Sequence, residues 1–549
     1  MLRFVAMLAF GFAISINWSC SVFAASAEVE IMEKLLNGKS DDAAGAKAIT
    51  GAMQDCAARI TVAARNPLSR RPFELLMREA QDAAITMVSP DAQKVFAAML
   101  PRMTPDALVT LLYALKLMPA NADVDAVATK LLVPGMEFRV RTGLIDMLGA
   151  HRYAPAQEKI VLGLDPVTLP SVQIATCRAL AALPEKKSIP ALIKYMLSLP
   201  PGKGGRFIYE ATGALRTLTG QTFAANPADW KKWWEANQNG FAFDGSKSLE
   251  PDYNYELSEK QELEYYEVPV VENRLVIVLD TSGSMQMGGK PNRLESAKME
   301  MKNFVKSLPD KTLFNIVSFS STVKRWRMDT PLVAATEANK QSAYRFIDAQ
   351  IPLGGTATTL AMEEVLRDIA VVNGCETVYL VTDGNPNPWA ANITAEQQER
   401  LMTWINQSLK IRINTIGIYS ITPADEKFLA LHNFKEDLDK MKKFLYDLAS
   451  NNDGVYREVG KDGTNKVVKV EPKKEKAMKD KEEKEKAEKL AKEKADKDVA
   501  DKAKAKDAKP EPAEPKDKAV EVPKSDKDFD IEIRVKKPDE PKKDEPGKP

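Results

Sequence analysis

Over most of the first 240 residues, apolar positions recur three and four apart, as in PDALVTLLYALKLM from Pro105 to Met118. That spacing lines one face of a helix. After about residue 272 the pattern changes. LVIVLD (Leu275–Asp280), TLFNIVSF (Thr312–Phe319), TVYLVTD (Thr377–Asp383), INTIGIY (Ile413–Tyr419) and GVYREV (Gly454–Val459) are short, aliphatic runs, suited to strands buried on both faces. Between them RLESAKMEMKNFVKSL (Arg293–Leu308), ANKQSAYRFIDAQI (Ala338–Ile351), LAMEEVLRDIA (Leu360–Ala370), TAEQQERLMTWINQSL (Thr394–Leu409) and LDKMKKFLYDLASNN (Leu438–Asn452) read as amphipathic helices. Strands alternating with helices predict a mainly parallel, doubly wound sheet covered on both sides. The chain is therefore expected to be multidomain: an all-α region over 28–240, a polar, tyrosine-rich linker over 241–272, an α/β domain over 273–460 and a charged tail over 461–549.

Composition adds three points to this outline. The chain has 549 residues, with 44% hydrophobic and 28% charged residues and a net charge of +1, so no global charge bias points to nucleic acid. Much of the charge lies in the tail, where Lys474 to Lys509 is almost entirely Lys, Glu, Asp and Ala. Glu–Lys pairs four apart favour an exposed single helix or coiled coil. The prolines from Pro510 onward end it, and the last stretch of the chain lacks the apolar content to order itself. Within that stretch DFDIEIRV alternates like a strand; a chance cluster is preferred to an edge strand offered to a partner.

The amino terminus has the pattern of a secretory signal. Arg3 precedes VAMLAFGFAISI (Val5–Ile16), and small residues come next at VFA, ending at Ala24, and ASA, ending at Ala27. The apolar run is short for a membrane span, which needs about 20 residues. Removal of residues 1–27 and export to the periplasm or cell surface are expected, with no transmembrane span left. Asn17 and Trp18 before Cys20 do not suit a lipid-attachment signal. Cys56, Cys177 and Cys375 are isolated; they read as small buried hydrophobes, with one bridge left open by an oxidising compartment.

The helical region repeats itself. FRVRTGLIDMLGAHRYAPAQEKIVLGL from Phe138 is echoed by SVQIATCRALAALPEKKSIPALIKYML from Ser171 and by IYEATGALRTLTG from Ile208, with Leu148, Leu180 and Leu215 at equivalent places. Each unit reads as helix, turn, helix, with Pro155 and Pro190 opening the second helix. One such hairpin cannot bury its apolar face alone, whereas stacked hairpins can. The units resemble HEAT repeats, which implies an α-solenoid and a surface for other macromolecules. Trp230, Trp233 and Trp234 are expected to form a packed cap at its end rather than a ligand cage.

The candidate chemistry lies where the aliphatic strands stop. LVIVLDTSGSM ends a strand in Asp280, with Ser282 and Ser284 just beyond it. A glycine-rich loop, LGGTATT, supplies Thr356, and VTDGNPNP places Asp383 at another strand end. Ligands of parallel sheets sit beyond the carboxyl ends of the strands, so three loops bring two carboxylates and three hydroxyls to one edge. Helix capping or turn formation explains each residue singly, but not their joint placement. An all-oxygen donor set without His or Cys suits a hard cation, Mg²⁺ foremost, with Mn²⁺ or Ca²⁺ as alternatives. Gly283, Gly354 and Gly355 read as backbone enablers, and Ser320 and Ser321 as ordinary loop residues.

DTSGS, the Thr of GGT and the Asp of VTDG resemble the metal-ion-dependent adhesion site of the von Willebrand factor type A (vWA) family, over roughly Asn273 to Gly460. The resemblance implies that Asp280, Ser282, Ser284, Thr356 and Asp383 surround one divalent ion, some through water. It implies that an Asp or Glu of a protein partner completes the shell, and that movement of the last helix is coupled to this in related domains. The function expected is therefore non-enzymatic binding by an exported protein, with the repeats as a second interaction surface. The alternative is a structural envelope scaffold in which the ion only stabilises the domain. The sequence contains only His151 and His432 and no P-loop, GxSxG or HExxH motif, which disfavours catalysis. The partner's identity and the oligomeric state are left open.

Overall fold

The computed structural model describes residues 21–63, 66–200, 204–243, 263–384, 386, 393–420, 422–425, 427, 434–460 and 465–467. Residues 465–467, at the start of the expected tail, are described and form a strand of the sheet; the rest of the tail, including the DFDIEIRV stretch, lies outside the described residues.

The amino-terminal half is helical because its segments carry both periodic apolar faces and start signals. Its helices are α1 (Ser21–Asn37), α2 (Ala43–Val62), α3 (Pro67–Ile85), α4 (Pro90–Met99), α5 (Pro105–Leu115), α6 (Ala122–Leu131), α7 (Phe138–Ala150), α8 (Gln157–Val161), α9 (Pro170–Ala182), α10 (Ser188–Ser198), α11 (Gly205–Thr219) and α12 (Pro227–Asn237). Asn66 shows the local logic. Its side chain accepts from the backbone N–H groups of Leu68 and Ser69, and Pro67 stands at the first helical position, where a missing N–H costs little. Gly149 lets α7 and α9 meet closely, since a Cβ there would lie 2.6 Å from the Ala179 Cβ. The expected cleavage region at Ala24 to Ala27 falls inside α1, and Ala27 and Ile31 belong to the helical core. At the other end Trp230 and Trp234 are buried, Trp230 Nε1 donates to the Ala224 carbonyl at 3.0 Å, and Phe223 meets Trp230 edge-on.

The α/β half contains β1 (Glu264–Tyr265), β2 (Val268–Pro269), β3 (Arg274–Asp280), α13 (Arg293–Ser307), β4 (Leu313–Phe319), β5 (Val323–Arg325), β6 (Val333–Ala334), α14 (Glu337–Asp348), α15 (Thr358–Glu363), α16 (Ala370–Asn373), β7 (Thr377–Thr382), α17 (Ala395–Asn406), β8 (Arg412–Ile418), α18 (Phe434–Ser450), β9 (Tyr456–Val459) and β10 (Asn465–Val467). The main sheet runs β10-β9-β8-β7-β3-β4-β5, with β6 also paired to β4. β3, β4, β7, β8 and β9 pair in parallel, whereas β5, β6 and β10 are antiparallel additions at the margins. The five aliphatic runs thus form the parallel strands expected of them. β5 and β6, too short to show a pattern, were not legible.

Two further features depart from the sequence reading. The end of the expected linker is a hairpin, β1–β2, that belongs to the sheet domain. Tyr266 and Glu267 take φ of 51° and 57° at its turn, without the Asn-Gly signature that usually marks such turns. Tyr265 compensates by stacking on Phe304 at 4.4 Å and meeting Tyr379 edge-on. The expected helix Leu360–Ala370 is interrupted: a π-helical turn at Glu364–Ile369 separates α15 from α16.

The two halves are packed together through charged pairs, some of them buried. Arg71 of α3, 2% exposed, donates to Glu363 of α15 at 2.9 Å. Arg367 donates to Glu74 at 2.5 Å and Arg400 to Asp82 at 2.6 Å. At the amino-terminal ends of the strands, Arg206 donates to the carbonyls of Glu376 and Lys410, and Arg178 bridges Glu210 and Asp453. Burial works against charge on Asp453, but Arg178 and Arg206 outweigh it and hold that carboxyl below its ordinary range. Such pairs specify one docking geometry rather than adding much stability. Glu363→Ala is expected to cost about 3–5 kcal/mol by removing the buried carboxylate that pairs with Arg71 and Arg70, whereas Arg71→Met combined with Glu363→Met should cost less. Urea unfolding of the full chain checks both values.

Candidate metal centre

Successive connections diverge at β3: the chain passes to β4 on one side and later returns to β7 on the other. Such a switch point leaves a crevice at the carboxyl ends of the strands. Asp280, the last residue of β3, is fully buried there. Its Oδ1 accepts from the Ser282 N–H at 2.7 Å and its Oδ2 from the Thr382 hydroxyl at 2.5 Å. Thr281 ties the chain to β4, its N–H donating to the Phe319 carbonyl at 2.7 Å. The chain then enters a 3₁₀ turn over Gly283–Gln286, with the Ser282 and Ser284 hydroxyl oxygens 3.1 Å apart.

The second loop is laced to the first. Leu353 N–H donates to the Thr281 carbonyl and Gly283 N–H to the Gly354 carbonyl, both at 2.9 Å. Gly354 has φ +86°, and a Cβ there would lie 2.8 Å from the Ser321 hydroxyl, so both conformation and space require glycine. Ser321 accepts from the Gly355 N–H at 2.8 Å; it anchors this loop. Thr356 adjoins Asp280 across Gly384, whose added Cβ would sit 3.2 Å from the Thr356 hydroxyl and 3.7 Å from Asp280 Oδ2. The third loop leaves the end of β7. Asp383, 1% exposed, accepts from the Ser284 hydroxyl at 2.8 Å through Oδ1. Residues 385 and 387–392 of this loop lie outside the described residues. Asp280, Ser282, Ser284, Thr356 and Asp383, distant in sequence, thus come to one place.

Two residues of the site were missed by sequence reasoning. Thr382 is the hydroxyl donor to Asp280. Arg293, 1% exposed, donates from Nη1 to Asp383 Oδ2 at 2.6 Å and from Nε to the Ser420 carbonyl at 2.8 Å. Arg293 opens α13, within an Asn292–Glu295 capping box. A cation in the first turn opposes the helix dipole, and that local mismatch was the available signal.

Two carboxylates in a buried site raise each other's cost of ionisation. Burial and the neighbouring Asp383 push the Asp280 carboxyl up to about 7, against hydrogen bonds from Thr382 and Ser282. Burial likewise raises Asp383, with Arg293 and Ser284 pulling the other way. The donor set fits a hard cation: two anionic and three neutral oxygens, with neither sulfur nor imidazole among them. Among the described residues no three His, Cys, Asp or Glu side chains gather as a metal cage, so any ion here depends on hydroxyls and water for the rest of its shell. Cys56, Cys177 and Cys375 are buried and unpaired.

The family model described as "von Willebrand factor type A domain" matches residues 273–431. The chain is 28% identical over 164 residues to a von Willebrand factor A domain-containing protein of Dictyostelium discoideum, covering 30% of this chain and 7% of that protein. It is 28% identical over 138 residues to inter-alpha-trypsin inhibitor heavy chain 4 of Mus musculus, covering 24% of this chain and 14% of the relative. The chain therefore spans only a small part of these relatives' length. Manganese-loaded TRAP protein of Plasmodium vivax is a similar solved structure, at 20% identity and a TM-score of 0.22, over 31% of this chain and 72% of that one. A vWA domain at 273–431 is thus supported by the family model and by relatives.

The carboxyl shifts set a pH dependence. Asp280 is raised to about 7 and Glu376, driven mainly by burial, also to about 7. Both native values exceed the unfolded ones, so the native state holds extra protons between about pH 4 and 7. Stability of the metal-free protein should therefore fall as pH rises across that window. Urea midpoints in EDTA from pH 4 to 7.5 check the slope. Glu376→Gln should flatten the part that is independent of the candidate centre.

Proposed function

We propose that this is a non-enzymatic binding protein. Its vWA domain holds one divalent cation through Asp280, Ser282, Ser284, Thr356 and Asp383 and presents it to an acidic side chain of a protein partner. The observation that carries this reading is the convergence of those five oxygen-bearing residues at the switch point of the sheet. A bound Mg²⁺, or Mn²⁺ or Ca²⁺, would supply a Lewis-acidic position open to an external carboxylate. The chain's own residues do the rest. Asp280 and Asp383 contribute the charge, the hydroxyls contribute neutral oxygens, and Leu353 and Gly354 hold the second loop against the first.

The signal pattern at residues 1–27 supports export, to the periplasm or the cell surface. No helix among the described residues is long and apolar enough to cross a membrane. The HEAT-like helices supply a second protein-interaction surface, and their ion pairs with α15, the π-helical turn and α17 keep that surface in fixed relation to the metal centre. A structural role, with the ion only stabilising the domain, is the competing reading.

Calorimetry with Mg²⁺ and Mn²⁺ tests the site, and a pull-down from cell-envelope extract, run in Mg²⁺ and in EDTA, tests its use. The mature protein should bind one ion and retain a partner only in Mg²⁺. Asp280→Ala or Asp383→Ala should weaken metal binding by about a hundredfold or more, since losing even an outer-shell group costs about 10–100-fold, without unfolding the domain. Retained affinity in both variants would sink the assignment. A partner held equally in EDTA, with a lower melting temperature, would favour the structural role.

A further inference from the structure

The five-residue site does not account for Arg293. A buried guanidinium is costly unless it is paired, and its place at the start of α13 makes it costlier. Only two of its nitrogens are used: Nη1 on Asp383 and Nε on the Ser420 carbonyl, while Nη2 is buried without a hydrogen-bond partner among the described residues. A neutral strut would hold Ser420 as well. What Arg293 adds is charge, at contact distance from one of the two carboxylates.

The charges of the centre then sum differently. Asp280 and Asp383 alone give −2, which a divalent ion cancels. With Arg293 the site carries −1 before an ion binds and +1 afterwards. Among the described residues Asp425 also faces Arg293; it lies half-buried in contact with solvent, and its carboxylate is engaged by Thr422 and the Gly288 N–H, so its influence is screened. The excess positive charge of a loaded site matches one carboxylate and is not satisfied by a neutral amide or hydroxyl.

Building on the metal-site reading above, we propose that Arg293 is a charge-setting and positioning residue of this centre. Its pairing with Asp383 weakens the protein's own hold on a divalent cation and reserves one positive charge for a single monoanionic carboxylate. Cation and carboxylate then bind with positive coupling, each strengthening the other by the same factor. The ligand class is an Asp, a Glu or a chain-terminal carboxylate.

The test uses the full chain and Mn²⁺ alone, titrated by calorimetry with and without acetate as the carboxylate probe, on wild type, Arg293→Lys and Arg293→Met. Removing the charge should tighten Mn²⁺ binding by about tenfold, equivalent to about 1.4 kcal/mol, while Arg293→Lys should stay within about threefold of wild type. Acetate should tighten Mn²⁺ binding to wild type by about threefold or more and do so less in Arg293→Met. Equal or weaker Mn²⁺ binding by a folded Arg293→Met would overturn the proposal and make Arg293 a strut. If Arg293→Met does not fold, the acetate coupling in wild type decides: no coupling rejects the proposal. Wild type that binds no Mn²⁺ at a site sensitive to Asp280→Ala would instead reject the metal centre itself, and this proposal with it.

Discussion

Two carboxylates that repel each other are held together at the ends of adjacent parallel strands. β3 pairs with β7 from Leu275↔Thr377 to Leu279↔Val381, so Asp280 and Asp383 emerge side by side, both buried. Everything around the site answers that constraint. Ser282, Thr382, Ser284 and Arg293 each donate to one of the four carboxylate oxygens. The protein has thus provided a local donor for every oxygen of the pair, while the residual repulsion shows in the raised Asp280 carboxyl.

The three loops share this burden through backbone contacts rather than through side chains alone. Thr281 is tied to β4 and Leu353 to Thr281, while Gly283 is tied to Gly354. The hydroxyl-bearing segments are therefore placed by the sheet, which is rigid, and adjusted by glycines, which are permissive. A site assembled this way can be accurate although its residues come from loops, since each loop is only a few bonds away from a paired strand.

The helical half bears on the same place indirectly. α3 grips α15 through Arg71 and Glu363, and α15 begins two residues after Thr356. The π-helical turn beyond α15 lies beside the Glu74–Arg367 contact. An extra residue per turn changes which side chains face the neighbouring helix, and here it accompanies the arginine that reaches α3. The helical region is therefore attached to the very helix that carries the second loop of the site.

Much of this was legible in the chain itself. Local hydrophobic period distinguished the helical half from the α/β half, since a 3.6 period and continuous aliphatic runs cannot satisfy the same packing. Four of the oxygen-bearing residues, Asp280, Ser282, Ser284 and Asp383, were legible for the same reason: a run such as LVIVLD has nowhere to end but at an edge of a buried sheet; Thr356 was legible only from its glycine-rich loop. The β1–β2 hairpin was not, because its turn at Tyr266 and Glu267 is held by aromatic packing on Phe304 rather than by turn residues. β5 and β6 were too short to carry a period. Nor was the π-helical turn visible, which breaks a pattern that reads as one amphipathic helix. Arg293, Thr382 and Ser321 stayed hidden because their roles depend on partners 90, 102 and 34 residues away. Sequence alone determined which oxygens the protein owns, since residue type and strand termination are local properties. Tertiary structure decided which oxygens meet and what charge they share, because strand order and the reach of a buried arginine are set only when distant segments pack.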